Sequence, residues 1–232
     1  MATRGDSNGG QYTFLVVKHN SICEESKEPK EGFEPVEVFN PKTKETLTKY
    51  IDKWGSVTGY VNSIEYYDRE HNGTRFQGVK INIDDEVLLD LAAKTPAYDT
   101  FCKLAENIDF TKQVTFSAGL DKKNDRTSFF VKQEGEGVKW KYTKENPGDC
   151  PPWERDEDGE WDSRKQRAFL KSRILEVVIP AAEAAATARA GEFDPTAYTA
   201  SEEEETLTKA ASAGASKSKS KKTDVSDDDI PF

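Results

Sequence analysis

The chain has 232 residues, of which 35% are hydrophobic and 33% charged, and its 33 basic and 43 acidic side chains leave a net charge of −10. That length holds one ordinary domain with a sizeable tail, or two small domains, and the low apolar fraction implies that part of it stays unfolded. No apolar run approaches membrane-spanning length, no leader opens the chain, and Cys23, Cys102 and Cys150 are an odd, scattered set, so the expectation is a soluble cytoplasmic protein.

Residues 1–10 are small and polar and read as a flexible arm. Residues 12–18 (YTFLVVK) are rich in β-formers and predict a strand. Residues 36–39 and 46–51 flank Asn40-Pro41-Lys42-Thr43-Lys44, a hairpin with a polar, basic loop. Residues 54–68 form a long strand bent at Gly55 or Gly59, Asn72-Gly73 makes a tight turn, and residues 75–83 return as its partner. Residues 86–107 carry helical spacing in Val87, Leu88 and Leu91 and again in Tyr98, Phe101, Cys102 and Ala105, with Pro96 opening a second helix and Asp84-Asp85 as a cap before the first. Residues 113–120, 127–133 and 138–143 predict three more strands, the first two joined by the charged turn 121–125. After an acidic connection, residues 163–179 read as a helix with Leu170, Ile174 and Val178 on one stripe, although 174–179 also suits a closing strand.

Strands, a helical insertion and further strands are the order of an oligonucleotide-binding (OB) barrel, and other small barrels share nearly the same order. The predicted fold is therefore mainly β with one or two helices: a five-stranded antiparallel OB-like barrel with hairpin extensions over residues 11–180. Residues 181–224 carry no pattern that buries a face and read as a disordered linker, followed by an acidic tip at 225–232. About fifty flexible residues reach roughly 40 Å.

The tip ends in Asp227-Asp228-Asp229-Ile230-Pro231-Phe232, three carboxylates running into an apolar wedge. A plain solubility tail accounts for the aspartates but not for the apolar residues. A docking peptide accounts for both: Phe232 fills a pocket, a terminal carboxylate meets an Arg or Lys, and the aspartates steer toward a basic surface. The six residues resemble the C-terminal tip of bacterial single-stranded DNA-binding proteins, and the body is similar in layout to phage-type members with an OB barrel and an acidic tail. The resemblance implies a protein that coats single-stranded DNA in a bacterial or phage-infected cell. It also implies that replication, recombination and repair proteins dock on the tip.

Holding a single strand without sequence preference takes aromatic faces for the bases and cations that follow the phosphates. The first long hairpin interleaves Tyr60, Tyr66, Tyr67, Arg69, Arg75, Phe76 and Lys80, and a second set contains Lys122, Lys123, Arg126, Phe130, Lys132, Lys139, Trp140 and Lys141. Strand alternation puts Val79, Ile81 and Ile83 on one face of residues 75–83 and Phe76 with Lys80 on the other; it likewise separates Phe129 and Val131 from Phe130 and Lys132. The candidate nucleic-acid residues are Tyr60, Tyr66, Arg75, Phe76, Lys80, Lys122, Lys123, Arg126, Phe130, Lys132, Lys139 and Lys141, with Trp140 assigned to the core. Any one of these aromatics can equally be core or cross-strand packing.

Charge argues the other way. From residue 181 onward there are 11 acidic and 6 basic residues, and the preceding 180 carry 32 and 27, so body and tail each hold −5. A nucleic-acid surface then requires the cations to cluster on one face. His19 and Cys23 stand alone at ligand spacing, so no metal or other cofactor is expected. No phosphate-binding Gly-rich loop or nucleophile elbow is present, and the chain is not read as an enzyme. Two alternatives remain: an interaction adaptor that borrows the docking peptide, and a nuclease. The sequence leaves a homo-oligomer and the choice between DNA and RNA open.

Overall fold

The computed structural model describes residues 12–40, 44–123, 125–155 and 161–192. The chain divides into the units Met1–Gly191 and Glu192–Phe232, and the two main sheets and their core belong to the first. The expected arm at 1–10, the loop residues 41–43, the later part of the expected linker and the tip at 225–232 lie outside the described residues.

The strands are β1 (Thr13–Lys18), β2 (Ser21–Ser26), β3 (Glu34–Asn40), β4 (Glu45–Trp54), β5 (Ser56–Gly59), β6 (Val61–His71), β7 (Thr74–Ile83) and β8 (Val87–Ala92). After helix α1 (Pro96–Leu104) come β9 (Val114–Asp121), β10 (Arg126–Gln133), β11 (Glu136–Gly137), β12 (Glu154–Arg155) and β13 (Trp161–Asp162). Helix α2 (Arg164–Arg173) runs through a π turn (Ile174–Val178) into α3 (Ile179–Glu192). A seven-stranded sheet has the order β3-β4-β2-β1-β8-β7-β6, and a four-stranded sheet the order β11-β10-β9-β5. The fold is mainly β with helices, as the sequence pattern predicts.

The strands β5 to β8 precede α1 and the strands β9 and β10 follow it, so a helix falls between two runs of strands as expected, and β9 returns to pair with β5. The strands β1 to β4 enlarge the sheet beyond five, and β1 pairs with β8 in parallel rather than antiparallel. The long strand is interrupted at both expected glycines: Gly55 separates β4 from β5, and Gly59 precedes the break into β6. At Gly59 a Cβ would run into the Asp84 carboxylate and the Ile83 side chain, so the strand can cross between sheets there only without one. Asp84 secures the bend, accepting from the Tyr60 N–H at 2.9 Å and donating its own N–H to the Tyr60 carbonyl at 3.0 Å.

Tight turns fix the hairpins. Asn72 and Gly73 sit at positive φ (50° and 69°) between the paired His71 and Thr74, and His19 and Asn20 do the same (51° and 59°) between Lys18 and Ser21. The second hairpin creates β2, which the sequence pattern does not announce. Asp84 and Asp85 also adopt positive φ (52° and 57°); they are turn residues between β7 and β8 and not a helix cap.

The expected helix at 86–92 is instead β8, because Leu89 and Leu91 alternate inward against Leu88 and Asp90 and complete the pairing with β7. The second half of that segment is the expected helix: Thr95 caps α1 by accepting from the Tyr98 N–H at 3.2 Å, and Pro96 occupies its first turn. The expected strand at 138–143 does not form. There the chain leaves the sheet, and the Lys141 N–H donates to the Lys103 carbonyl at 2.7 Å. Trp140, assigned to the core, is 48% exposed, whereas Tyr142 is buried.

One core joins both sheets and the helices. Leu15, Ile64, Val79, Ile81 and Leu89 from the large sheet meet Phe116, Phe129 and Val131 from the small one, with Phe101 of α1 and Leu170, Ile174 and Val178 of the C-terminal helical segment. Residue 181 does not begin a linker, since α3 continues to Glu192 with Ala182 and Ala185 buried. Pro180 is accommodated inside this helix by the π turn before it, where the Ile179 N–H reaches back to the Ile174 carbonyl. Arg189 then pins α3 to the bend of the long strand, donating to the Val61 carbonyl at 2.8 Å and Asn62 Oδ1 at 3.1 Å.

Candidate nucleic-acid interface

Strand alternation on β7 holds as expected: Val79, Ile81 and Ile83 are buried, while Phe76 (47% exposed) and Lys80 point outward. The pairing register identifies their neighbours on that outer face. Arg69 lies opposite Phe76, Tyr67 opposite Gly78, and Asp90 opposite Lys80. The parallel strand β1 adds Val16 beside Asp90 and Phe14 beside Leu88.

These side chains form one cluster. Lys80 Nζ lies 5.6 Å from the centroid of the Phe14 ring and 5.7 Å from that of Tyr67, and the Arg69 guanidinium lies 5.0 Å from the same Tyr67 ring. Tyr67 rests against Gly78, where a Cβ would stand 2.5 Å from the phenol oxygen, and its hydroxyl donates to Asp90 Oδ1 at 2.8 Å. Burial, and then the neighbouring Asp90, push the Tyr67 phenol well above its ordinary value. Burial also raises Asp90, against the opposing influence of the Tyr67 hydrogen bond and the Lys80 charge. Phe14 is 44% exposed, so two half-exposed aromatics and two cations share this face. Phe14 is absent from the sequence-derived set because its neighbours come from β7 and β8 through a parallel pairing; the alternation of Phe14, Val16 and Lys18 in residues 12–18 is the only signal for it.

A second face lies on the four-stranded sheet. Phe129 and Val131 are buried, and Phe130 (51% exposed) and Lys132 point out, opposite Ser117 and Thr115. Thr115 shares a hydroxyl hydrogen bond of 2.9 Å with Thr58 of β5. Lys122, Lys123 and Arg126 are exposed around the β9–β10 turn, where the Lys123 N–H donates to Asp121 Oδ1 at 3.0 Å. Lys139 and Lys141 are exposed in the segment after β11, and Lys103 Nζ lies 5.3 Å from the Trp140 ring.

Three of the expected residues are otherwise engaged. Tyr60 lies beneath the Arg189 guanidinium, 5.0 Å from its ring centroid. Tyr66, opposite Val79, faces the core side and is covered by Lys171 of α2 at 4.7 Å. Arg75 holds Asp68 through two hydrogen bonds of 2.7 and 2.6 Å, and together with Gln77 and Lys171 keeps that carboxyl well below its ordinary range. The cations of β1 to β4 are paired as well: Lys18 and Lys49 with Glu25, Lys30 with Glu24, and Lys53 with Glu34. Among the described residues Lys80, Arg126 and Lys132 make no ion pair.

Fold and site thus define a mainly β protein with aromatic and cationic side chains on the outer faces of two sheets. No family model, curated protein or solved structure matches the chain. No helix among the described residues is long and apolar enough to cross a membrane. The three cysteines are free and buried, and no group of His, Cys, Asp and Glu among the described residues converges as a metal site would.

Proposed function

We propose that this chain binds single-stranded DNA without sequence preference through the outer face of β7, β8 and β1, and recruits replication, recombination or repair proteins through residues 227–232. The observation that carries the reading is the placement of Lys80 beside Phe14, on the same outward face of β7 as the exposed Phe76. Two aromatic surfaces for bases share this face with a cation that makes no ion pair among the described residues, the combination that sequence-tolerant strand binding uses. Phe130 and Lys132 extend the surface onto the second sheet, and Lys122, Lys123 and Arg126 supply phosphate contacts at its edge. The test is a titration of the full chain with oligo-dT, followed by quenching of the four tryptophans. Saturable quenching that weakens steeply with salt is expected; absence of quenching and of any mobility shift rejects the reading.

A second reading, an interaction adaptor, draws on the ion-paired state of most cations of β1 to β4 and on the net charge of −10. In that case residues 227–232 capture partner enzymes while oligo-dT leaves the protein unchanged.

A further inference from the structure

A cavity of about 530 Å³ opens between the β1–β2 turn, the start of α1 and the start of β10. Its floor is apolar, built from Val17, Pro96 and Ala97, and its rim carries Lys18, His19 and Arg126. The volume falls within the range of ligand pockets, roughly 300–1,000 Å³. The two hydroxyls at the rim are already committed: Thr95 caps α1, and Thr127 donates to Asn20 Oδ1 at 2.9 Å, which ties the turn to β10. The cations differ in commitment, since Lys18 Nζ is bonded to Glu25 at 3.1 Å. Arg126 makes no ion pair among the described residues, and His19 Nε2 is buried with no hydrogen-bond partner, 3.7 Å from Glu25 Oε1. Lys18 shares Glu25 with Lys49, so two ammonium groups and an imidazole face that single carboxylate.

An apolar floor with a cationic rim suits a ligand that is flat and apolar at one end and anionic at the other. We propose that this pocket takes one nucleotide of a bound strand, its base against Val17, Pro96 and Ala97 and its phosphate on Lys18 and Arg126. Lys18 follows Phe14 along the outward-facing side of β1, and Arg126 follows the Lys122–Lys123 turn. The pocket therefore stands between the aromatic face of the large sheet and the basic turn of the small one. The ligand class rests on the strand-binding reading; the cavity and its lining do not.

The test titrates thymidine monophosphate, and separately inorganic phosphate, into the full-length protein while the Ala97 methyl and His19 ring resonances are followed. Thymidine monophosphate should move both in a saturable way, and Arg126→Ala should weaken that binding about tenfold, the order expected for one charge-assisted hydrogen bond. Inorganic phosphate should leave the Ala97 methyl in place. No shift at Ala97, an equal shift with inorganic phosphate, or an unaltered affinity in Arg126→Ala each overturns the assignment. Oligo-dT binding measured alongside separates the two claims: binding of oligo-dT without the Ala97 shift removes the pocket alone, and the shift without oligo-dT binding removes the strand-coating reading alone.

Discussion

The Arg173 guanidinium grips both carboxylate oxygens of Glu106, at 2.7 and 2.8 Å, and joins the C-terminal helical segment to the turn after α1. The Glu106 side chain is only 7% exposed, and the Tyr142 phenol donates to the same carboxylate. Burial and that bond push the phenol up to about 12, while Arg173 holds the Glu106 carboxyl below its ordinary 4.5. A buried carboxylate stripped of its cation is costly, so Arg173→Ala should lose about 3 kcal/mol in urea unfolding at neutral pH. The sign with pH follows from the depressed value: the Glu106 contribution is complete above 4.5 and disappears as pH falls through its lower folded value. The stability gap between wild type and Glu106→Gln should therefore shrink from neutral pH to about pH 3. A gap of the same size at both ends contradicts this role for the pair.

Phe76 and Lys80 point away from the core, so their removal should act on binding and not on folding. Phe76→Ala should weaken oligo-dT binding by about 1–3 kcal/mol if its ring stacks on a base. Lys80→Ala should weaken it as well and flatten the dependence of affinity on salt, since one fewer phosphate is neutralised. Thermal unfolding should stay within about 0.5 kcal/mol of wild type for Phe76→Ala. Unchanged affinity in both variants moves the interface away from β7.

Asp90 opposes phosphate on the same face. Its carboxylate lies across from Lys80 and is partly buried, which raises its protonation range. Asp90→Asn keeps an oxygen to accept from the Tyr67 hydroxyl and removes the charge, so oligo-dT should bind more tightly, most clearly at low salt where repulsion is least screened. The same change should raise the urea midpoint at neutral pH, because a raised carboxylate value means that ionisation works against the fold there. Weaker binding would show that Asp90 contacts the strand directly instead.

What the chain discloses before folding depends on how local the signal is. The inward run Val79, Ile81, Ile83 and the outward pair Phe76 and Lys80 follow from alternation within a single strand. Val87 to Leu91 is different: Val-Leu-Leu-Asp-Leu satisfies helix and strand periods alike, and only its pairing with β7 and β1 decides. Phe14 meets Lys80, and Arg189 meets Tyr60, across long stretches of chain that no local pattern links. The alanines of α3 carry little hydrophobic signal, yet Ala182 and Ala185 are buried because small side chains let the helix approach closely. Sequence therefore marks the two faces of β7 and β10 well, and marks poorly the strands β2 and β8, whose pairing is what defines them, and the faces that the C-terminal helices cover.

Gly78 makes the Tyr67 arrangement possible. A Cβ at this position would stand 2.5 Å from the Leu91 carbonyl oxygen and 2.5 Å from the Tyr67 hydroxyl oxygen. The first is backbone of the paired strand β8 and cannot swing aside. Gly78→Ala should cost about 1–3 kcal/mol through overpacking and displace the Tyr67 hydroxyl from Asp90. In the double variant Gly78→Ala/Tyr67→Leu the phenol clash is gone and the carbonyl clash remains, so stability should recover only in part. Full recovery, measured by urea midpoint, would place the whole conflict at the phenol.

The docking role of residues 227–232 separates from strand binding by charge and by position in the chain. If Ile230, Pro231 and Phe232 fill a partner's pocket, Phe232→Ala should abolish capture of the enzymes that dock on this peptide while oligo-dT affinity stays within about twofold, because one apolar anchor commonly carries most of such an interface. The aspartates give a different expectation. An acidic segment tethered to the body competes with phosphate for the same cations, so deleting residues 225–232 should tighten oligo-dT binding at low salt and leave it unchanged at high salt, where the competition is screened. Fluorescence titrations of the two variants at both salt concentrations distinguish the effects. Equal loss of partner capture and of oligo-dT binding in Phe232→Ala refutes the division of labour, and an affinity untouched by the deletion at low salt refutes the competition.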